Sequence, residues 1–181
     1  MLRAAGAEAV EVRTLAQLDS VDGLIIPGGE STTIARLLLA FELMEPLRER
    51  IAGGLPVWGT CAGAILLADE VPGLDRPSVG GLAMTVDRNA FGTQVDSFET
   101  DVVLDGIEGG AFHAVFIRAP VITEARGETS VVARLPDGRI VAARQGALFA
   151  TCFHPELTND HRIHQWFVDC VRSTAAERSR A

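Results

Sequence analysis

The chain has 181 residues, enough for one domain with a sizeable hydrophobic core and too few for two. Its formal net charge of −8 argues against binding to a nucleic acid backbone, which depends on clustered Lys and Arg. No stretch approaches the roughly 18 uninterrupted apolar residues that a membrane span needs, and residues 1–13 lack a secretory signal. We therefore expect one soluble domain over residues 1–181, located in the cytoplasm, without nucleic acid or membrane partners.

Apolar runs rich in Val and Ile predict the first strands, at residues 23–27 and 55–59. Between them, apolar residues recur at helical spacing, namely Ile34, Leu37, Leu38 and Phe41. With Ser31 as N-cap and Gly53 and Gly54 as the stop, this segment predicts one helix of several turns. Strand, long helix and strand within about 35 residues form a βαβ unit, which implies a parallel sheet and an α/β fold.

In the second half of the chain, successive predicted strands replace the alternation of strand and helix. Further apolar runs predict strands at residues 115–119, 130–135, 139–144 and 147–153. Asp137-Gly138 between two of them predicts a hairpin, so part of the sheet is expected to be antiparallel. A last helix is predicted from one apolar face, formed by Ile163, Trp166, Phe167, Cys170 and Val171. The expected fold is a single α/β domain with an open, mostly parallel sheet, flanked by helices and extended by an antiparallel hairpin.

Cys61 lies at a corner between a predicted strand and a helix. Residues 59–63 fit G-x-C-x-G, the cysteine counterpart of the G-x-S-x-G nucleophile elbow. The glycines leave room around a nucleophile in strained backbone, and the positive end of the next helix favours the reactive thiolate. The alternative is a structural cysteine, because cysteine is among the most often buried residues. The strand-to-helix context favours the nucleophile, while Cys152 and Cys170 are expected to be ordinary free thiols.

A thiolate nucleophile needs a base, and His154 directly follows the last predicted strand. Glu156, two residues later, is placed to orient the imidazole, as in a catalytic triad. The alternative is a solvated loop end, since His-Pro-Glu alone is a commonplace sequence. The remaining histidines are expected in a strand or on the last helix, namely His113, His161 and His164. No His or Cys pair has zinc-ligand spacing, so no metal site is expected.

Residues 25–33, IIPGGESTT, lead from a strand through Pro-Gly-Gly into a helix. Backbone N–H groups in such a turn can bind an anion, and no G-K-[ST] follows that would make it a P-loop. In an acyl-transfer enzyme the turn would supply one N–H of an oxyanion hole, and the N–H of Ala62 the other. An ordinary Gly-rich turn between strand and helix is the alternative.

Together, five segments resemble the class I (triad) glutamine amidotransferases, and specifically the glutaminase subunits of pyridoxal 5′-phosphate synthases. They are GLIIPGGEST, VWGTCAGAILLA, FGTQVDSFE, FIRAP and CFHPELTND. The resemblance extends from about residue 5 to residue 172. G-x-C-x-G with His-Pro-Glu suits the broad class. Three further features narrow the resemblance from the broad class to the glutaminase subunits. They are PGGEST, Phe91-Gly92 with Ser97-Phe98-Glu99, and residues 116–120.

The resemblance implies a flavodoxin-like fold that hydrolyses L-glutamine to L-glutamate and ammonia. Cys61 would form a thioester, His154 would shuttle the proton and Glu156 would orient His154. The positions that match the family's substrate-binding residues are Gly29, Glu30, Ser31, Arg88, Ile117 and Arg118, and Gly29 and Ala62 match its oxyanion hole. The hydrolysis needs no cofactor. The implied partner is a (β/α)8-barrel synthase subunit, which uses the ammonia to make pyridoxal 5′-phosphate.

The chain departs from the family at its start. Members begin with a strand and a Gln-Gly-containing loop, whereas residues 2–13 match the segment that follows them. We therefore expect the sheet to lack its first strand, with backbone groups left unpaired at a cost of about 1–3 kcal/mol each if buried. Two alternatives stay open: a non-catalytic docking or regulatory subunit, and a glutaminase that serves another acceptor.

Overall fold

The computed structural model of the protein describes residues 1–88 and 97–180. The helices are α1 (Leu15–Asp19), α2 (Ser31–Ala40), α3 (Met44–Ala52), α4 (Ala62–Leu67) and α5 (Arg162–Arg178), with a 3₁₀ turn at Pro155–Leu157. The strands are β1 (Leu24–Ile26), β2 (Val57–Thr60), β3 (Ala68–Glu70), β4 (Leu82–Asp87), β5 (Ser97–Val102), β6 (Phe112–Ile117), β7 (Val121–Ala125), β8 (Ser130–Arg134), β9 (Ile140–Gln145) and β10 (Leu148–Thr151). Within the described ranges, no helix has the length and apolar character needed to cross a bilayer.

Eight strands form one sheet in the order β1-β2-β10-β9-β7-β4-β3, with β8 paired to β9. β1, β2 and β10 run parallel, as do β3 and β4, and the remaining pairs in the sheet are antiparallel. β5 and β6 form a separate antiparallel hairpin. The predicted α/β class and its parallel β1-β2 unit are confirmed. The predicted hairpin around Gly138 is confirmed as β8–β9.

The segment between β1 and β2 is two helices, so the prediction of one long helix is wrong. α2 ends at Ala40, and Glu42 adopts a left-handed backbone with φ of 55° before α3 begins at Met44. Pro46 is the third residue of α3. Proline is tolerated in a first turn but removes a hydrogen bond and clashes inside a helix, which favours a new helix start just before it.

Helices α4 and α5 cover opposite faces of the parallel strands. Trp58 of β2 packs against Phe167 of α5, with ring centroids 5.6 Å apart. Its neighbour Gly59 points the other way, and a methyl group there would lie 2.3 Å from the carbonyl oxygen of Gly63 in α4. The site residues at the end of β2 are therefore held between two helical layers.

Among the described residues, β1 has a strand partner on one side only, β2. Residues 7–13 form no strand. A groove of about 820 Å³ separates this segment from β1 and α5. β1 is thus the edge strand of the described sheet.

Gly63 provides a test of how closely α4 approaches β1. A methyl group at this position would lie 2.0 Å from the carbonyl oxygen of Ile26, a backbone atom that cannot turn away. We expect Gly63→Ala to lower the free energy of unfolding by about 2 kcal/mol or more, measured by urea denaturation. Gly53→Ala is the control, because its added methyl group meets atoms only at ordinary distances of 3.4 and 3.5 Å. Equal stability of the two variants would contradict the close approach.

Candidate active site

Cys61 occupies a strained corner between β2 and α4. Its backbone has φ of 49° and ψ of −103°, a conformation that L-residues rarely adopt. The N–H of Cys61 donates to the carbonyl of Thr151 in β10 at 2.8 Å. The corner can form because Gly59 and Gly63 bear no side chains, as their close contacts with α4 and β1 show. The sequence pattern G-x-C-x-G therefore has a steric cause here.

His154 and Glu156 follow β10 and meet at the same edge of the sheet. The His154 Nδ1 lies 2.7 Å from Glu156 Oε1, and the imidazole and the Cys61 side chain both lie against Gly28. The backbone N–H of His154 donates to the carbonyl of Val115 in β6 at 2.8 Å. The structure thus brings together three residues separated by up to 95 positions in the chain.

The charges of this set favour a protonated imidazole. The neighbouring Cys61 side chain, and then the hydrogen bond with Glu156, raise the pKa of His154 to about 10. Burial alone would raise the pKa of Glu156, but the hydrogen bond with His154 holds it below its usual value. At neutral pH the pair is therefore an imidazolium and a carboxylate. The proton on His154 is available to a group that leaves near Cys61.

The turn after β1 lies directly against these residues. A methyl group on Gly28 would lie 2.5 Å from Cε1 of His154 and 3.4 Å from the Cys61 Cβ, so any side chain there would displace the imidazole. Gly29 follows with φ of 140°, which only glycine adopts readily. The Pro-Gly-Gly sequence is thus explained by close approach and by backbone conformation.

Glu30 caps helix α2, so the prediction of Ser31 as the N-cap is wrong by one residue. The Glu30 carboxylate accepts from the N–H of Thr33 at 2.7 Å and from the hydroxyl of Thr32. These hydrogen bonds, led by that of Thr32, lower the pKa of Glu30 to about 2. Glutamate is not among the preferred N-cap residues, but here its side chain reaches the free N–H of Thr33.

The other predicted site residues divide into two groups. Arg88 Nη1 donates to Ser31 Oγ at 3.4 Å, so these two side chains are in contact although they are 57 residues apart in the chain. Ile117 ends β6, and Arg118 follows with φ of 44°; both are exposed. They lie two and three residues after Val115, which binds the backbone of His154.

Ala62 is the buried first residue of α4, directly after the nucleophile. The predicted Phe91-Gly92 pair lies outside the described residues. Ser97-Phe98-Glu99 opens β5, where Ser97 pairs with Ile117 across the hairpin.

Sequence reasoning missed the backbone groups that fix the set. The carbonyls of Val115 and Thr151 hold His154 and Cys61, but a carbonyl leaves no residue-specific mark in a sequence. Gly28 could have been found, because two consecutive glycines after an apolar strand indicate a close approach. The arrangement as a whole suits covalent acyl transfer, with a thiol beside an imidazole that a carboxylate orients.

Comparison with known proteins agrees with this geometry. A profile of the SNO glutamine amidotransferase family matches residues 1–173. The pyridoxal 5′-phosphate synthase subunit PdxT of Parafrankia sp. (strain EAN1pec) is 60% identical over 95% of this chain and 85% of its own length. The same-named protein of Kineococcus radiotolerans is 58% identical over 97% of this chain and 88% of its own.

Solved structures give the same grouping. A glutamine amidotransferase crystal structure is 46% identical, with a TM-score of 0.87 over 94% of this chain and 89% of its own. A putative GMP synthase subunit from Thermoplasma acidophilum, 16% identical with a TM-score of 0.62 over 92% of this chain and 80% of its own, shares the fold alone. The extent of the profile match and the identity to these relatives show that the chain belongs to the SNO glutamine amidotransferase family.

Proposed function

We propose that this protein is the glutaminase subunit of a pyridoxal 5′-phosphate synthase, a single-domain enzyme of the cytoplasm that hydrolyses L-glutamine to L-glutamate and ammonia. The observation that supports this most directly is that the Cys61 side chain lies beside His154, which is hydrogen-bonded to Glu156, in a chain of this family. A solvated His-Pro-Glu loop, the alternative considered from sequence, would not place the imidazole on the thiol.

The reaction follows from the positions of these groups. The Cys61 thiolate attacks the carboxamide carbon, and the oxyanion that develops accepts hydrogen bonds from the N–H groups of Gly29 and Ala62. The carbon–nitrogen bond breaks as His154 gives its proton to the leaving nitrogen, which departs as ammonia and leaves a thioester. Water then attacks the thioester while His154 takes up one of its protons. The carbon–sulfur bond breaks, glutamate is released and the free Cys61 sulfur is restored. Glu156 holds the imidazole in the orientation that both steps need.

The substrate is held by charges of both signs. Glutamine presents an ammonium group and a carboxylate at the end remote from the amide. The ionised Glu30 complements the ammonium group, and Arg88 and Arg118 complement the carboxylate. Ser31, bonded to Arg88, and Ile117 complete the walls of this part of the site.

The ammonia requires an acceptor, and the named relatives are subunits of one synthase. We infer that the partner is the (β/α)8-barrel subunit of that synthase, which receives the ammonia. A non-catalytic docking subunit is not favoured, because such a protein has no need of a complete thiol, imidazole and carboxylate set. A glutaminase for another acceptor is less well supported, since the relatives at 58–60% identity are named for this synthase.

The nucleophile is tested by removing one sulfur at a time. With the synthase subunit present, we expect Cys61→Ala to reduce glutamate release from glutamine by about a thousandfold or more, because no thioester can form. Cys170→Ala, which removes a thiol on α5, is the control and should retain the parental rate. Equal losses in both variants would indicate damage to folding and count against Cys61 as the nucleophile.

The role of Glu156 is tested by pH. Its hydrogen bond raises the pKa of His154, so Glu156→Gln should lower that pKa and the imidazolium should lose its proton at lower pH. We expect the alkaline limb of the kcat/KM profile to move down by about one to two pH units. Glu49→Gln, on the exposed side of α3, should leave the profile unchanged. An unmoved alkaline limb in Glu156→Gln would refute the assignment.

The partner is tested by mixing. We expect the chain to co-elute with the (β/α)8-barrel synthase subunit in size-exclusion chromatography, and glutamate release to rise in that mixture. Synthase subunits of other glutamine-dependent enzymes serve as controls. Stimulation by one of those alone would favour the glutaminase for a different acceptor.

A further inference from the structure

Arg162, the first residue of α5, makes an unusually complete set of hydrogen bonds just beyond the proposed triad. Its Nε and Nη2 donate to the Asp160 carboxylate at 2.9 and 2.6 Å. Its Nη1 donates to the carbonyls of Glu108 and Gly110 at 3.2 Å each, and Nη2 also donates to the carbonyl of Ala111 at 2.8 Å. A guanidinium has five N–H groups, so each of them has an acceptor. We call Arg162, Asp160 and the turn 108–111 the Arg162 clamp.

The turn is shaped to receive this side chain. Gly109 has φ of 102°, in a region that favours glycine, and a methyl group there would lie 2.6 Å from Nη1 and 2.9 Å from Cδ of Arg162. Three carbonyls of consecutive or nearby residues can therefore converge on one guanidinium. Lysine could not replace it, because an ammonium group offers three donors from one atom and cannot form the fork.

One side of the clamp leads to Glu156. The N–H of Asp160 donates to Thr158 Oγ1 at 3.3 Å, and that hydroxyl donates to the carbonyl of Pro155 at 3.3 Å. Pro155 opens the 3₁₀ turn that contains Glu156. The segment from Glu156 to α5 is thus held by local hydrogen bonds that end at Arg162.

The other side of the clamp leads to His154. The turn 108–111 runs directly into β6, which begins at Phe112. Within β6, the carbonyl of Val115 accepts the backbone N–H of His154 at 2.8 Å. The backbone of His154 and the segment after Glu156 are therefore both tied to one strand and the turn before it.

We propose that Arg162 is a positioning residue that holds the Glu156 carboxylate at hydrogen-bond distance from His154. This rests on the proposed function for its effect on turnover. The ion pair with Asp160 alone would contribute little to holding these segments in place. About 30% of each side chain is exposed, and exposed pairs contribute about 0–1 kcal/mol to stability. The clamp differs from a simple ion pair because its five N–H donors fix two chain segments in one geometry. Such fixing matters for catalysis, since small displacements of catalytic groups lower the rate strongly.

The experiment compares Arg162→Lys with the parent chain, both bound to the synthase subunit. We expect kcat to fall about tenfold with little change in KM, because the substrate contacts are untouched while the triad loosens. We also expect the pKa of the His154 imidazole, followed by NMR in the same complex, to fall, because the Glu156 hydrogen bond contributes to raising it. Arg172→Lys is the matched control. Arg172 is also on α5, and it donates to the Asp169 carboxylate and to the carbonyl of Gly6. Both kcat and the His154 pKa should stay at the parental values in this variant.

Asp160→Asn provides a second variant of unchanged size, with its fold checked by circular dichroism. It removes one of the acceptors of the fork and should move kcat and the His154 pKa in the same direction, less strongly. Folded variants with parental kcat and parental His154 pKa would overturn the proposal. Failure of both variants to fold would also overturn it, because the clamp would then serve stability. If the parent complex releases no glutamate, the proposed function fails, whereas the NMR titration still reports on the clamp.

Discussion

The site depends on one steric constraint, the close approach of α4 to β1 and β2. Gly59 and Gly63 let this helix start immediately after Cys61, and the price is a cysteine with φ of 49°. Strain of about 1–3 kcal/mol at such a residue persists because the surrounding contacts determine the backbone.

The charges of His154 and Glu156, next to Cys61, are the second feature on which the site depends. The imidazole of His154 has Cys61 and Glu156 as neighbours, and both raise its pKa. Glu156 keeps its charge although it is partly buried, because His154 faces it. Each group thus stabilises the charged form of the other.

The sequence allowed much of this to be predicted, and the reasons differ by element. β1, β2 and β10 have the apolar runs typical of buried parallel strands, and Cys61 and His154 follow two of them, so their meeting at one sheet edge could be inferred. The break between α2 and α3 was missed because the apolar spacing continues across it, although Pro46 marked it. The carbonyls that fix Cys61 and His154 could not be predicted, since every residue has one and only tertiary structure selects it. The order of the antiparallel strands likewise depends on long-range pairing that a single sequence does not specify.

The separate β5–β6 hairpin has a consequence for how the two reacting side chains are supported. Cys61 is anchored to the large sheet through Thr151, whereas the amide of His154 is anchored to the hairpin through Val115. The hairpin forms no ladder with the large sheet among the described strands, and its Phe116 packs on Phe153 instead. A displacement of the hairpin would therefore act first on the backbone of His154, because the N–H of His154, and not that of Cys61, is bonded to it.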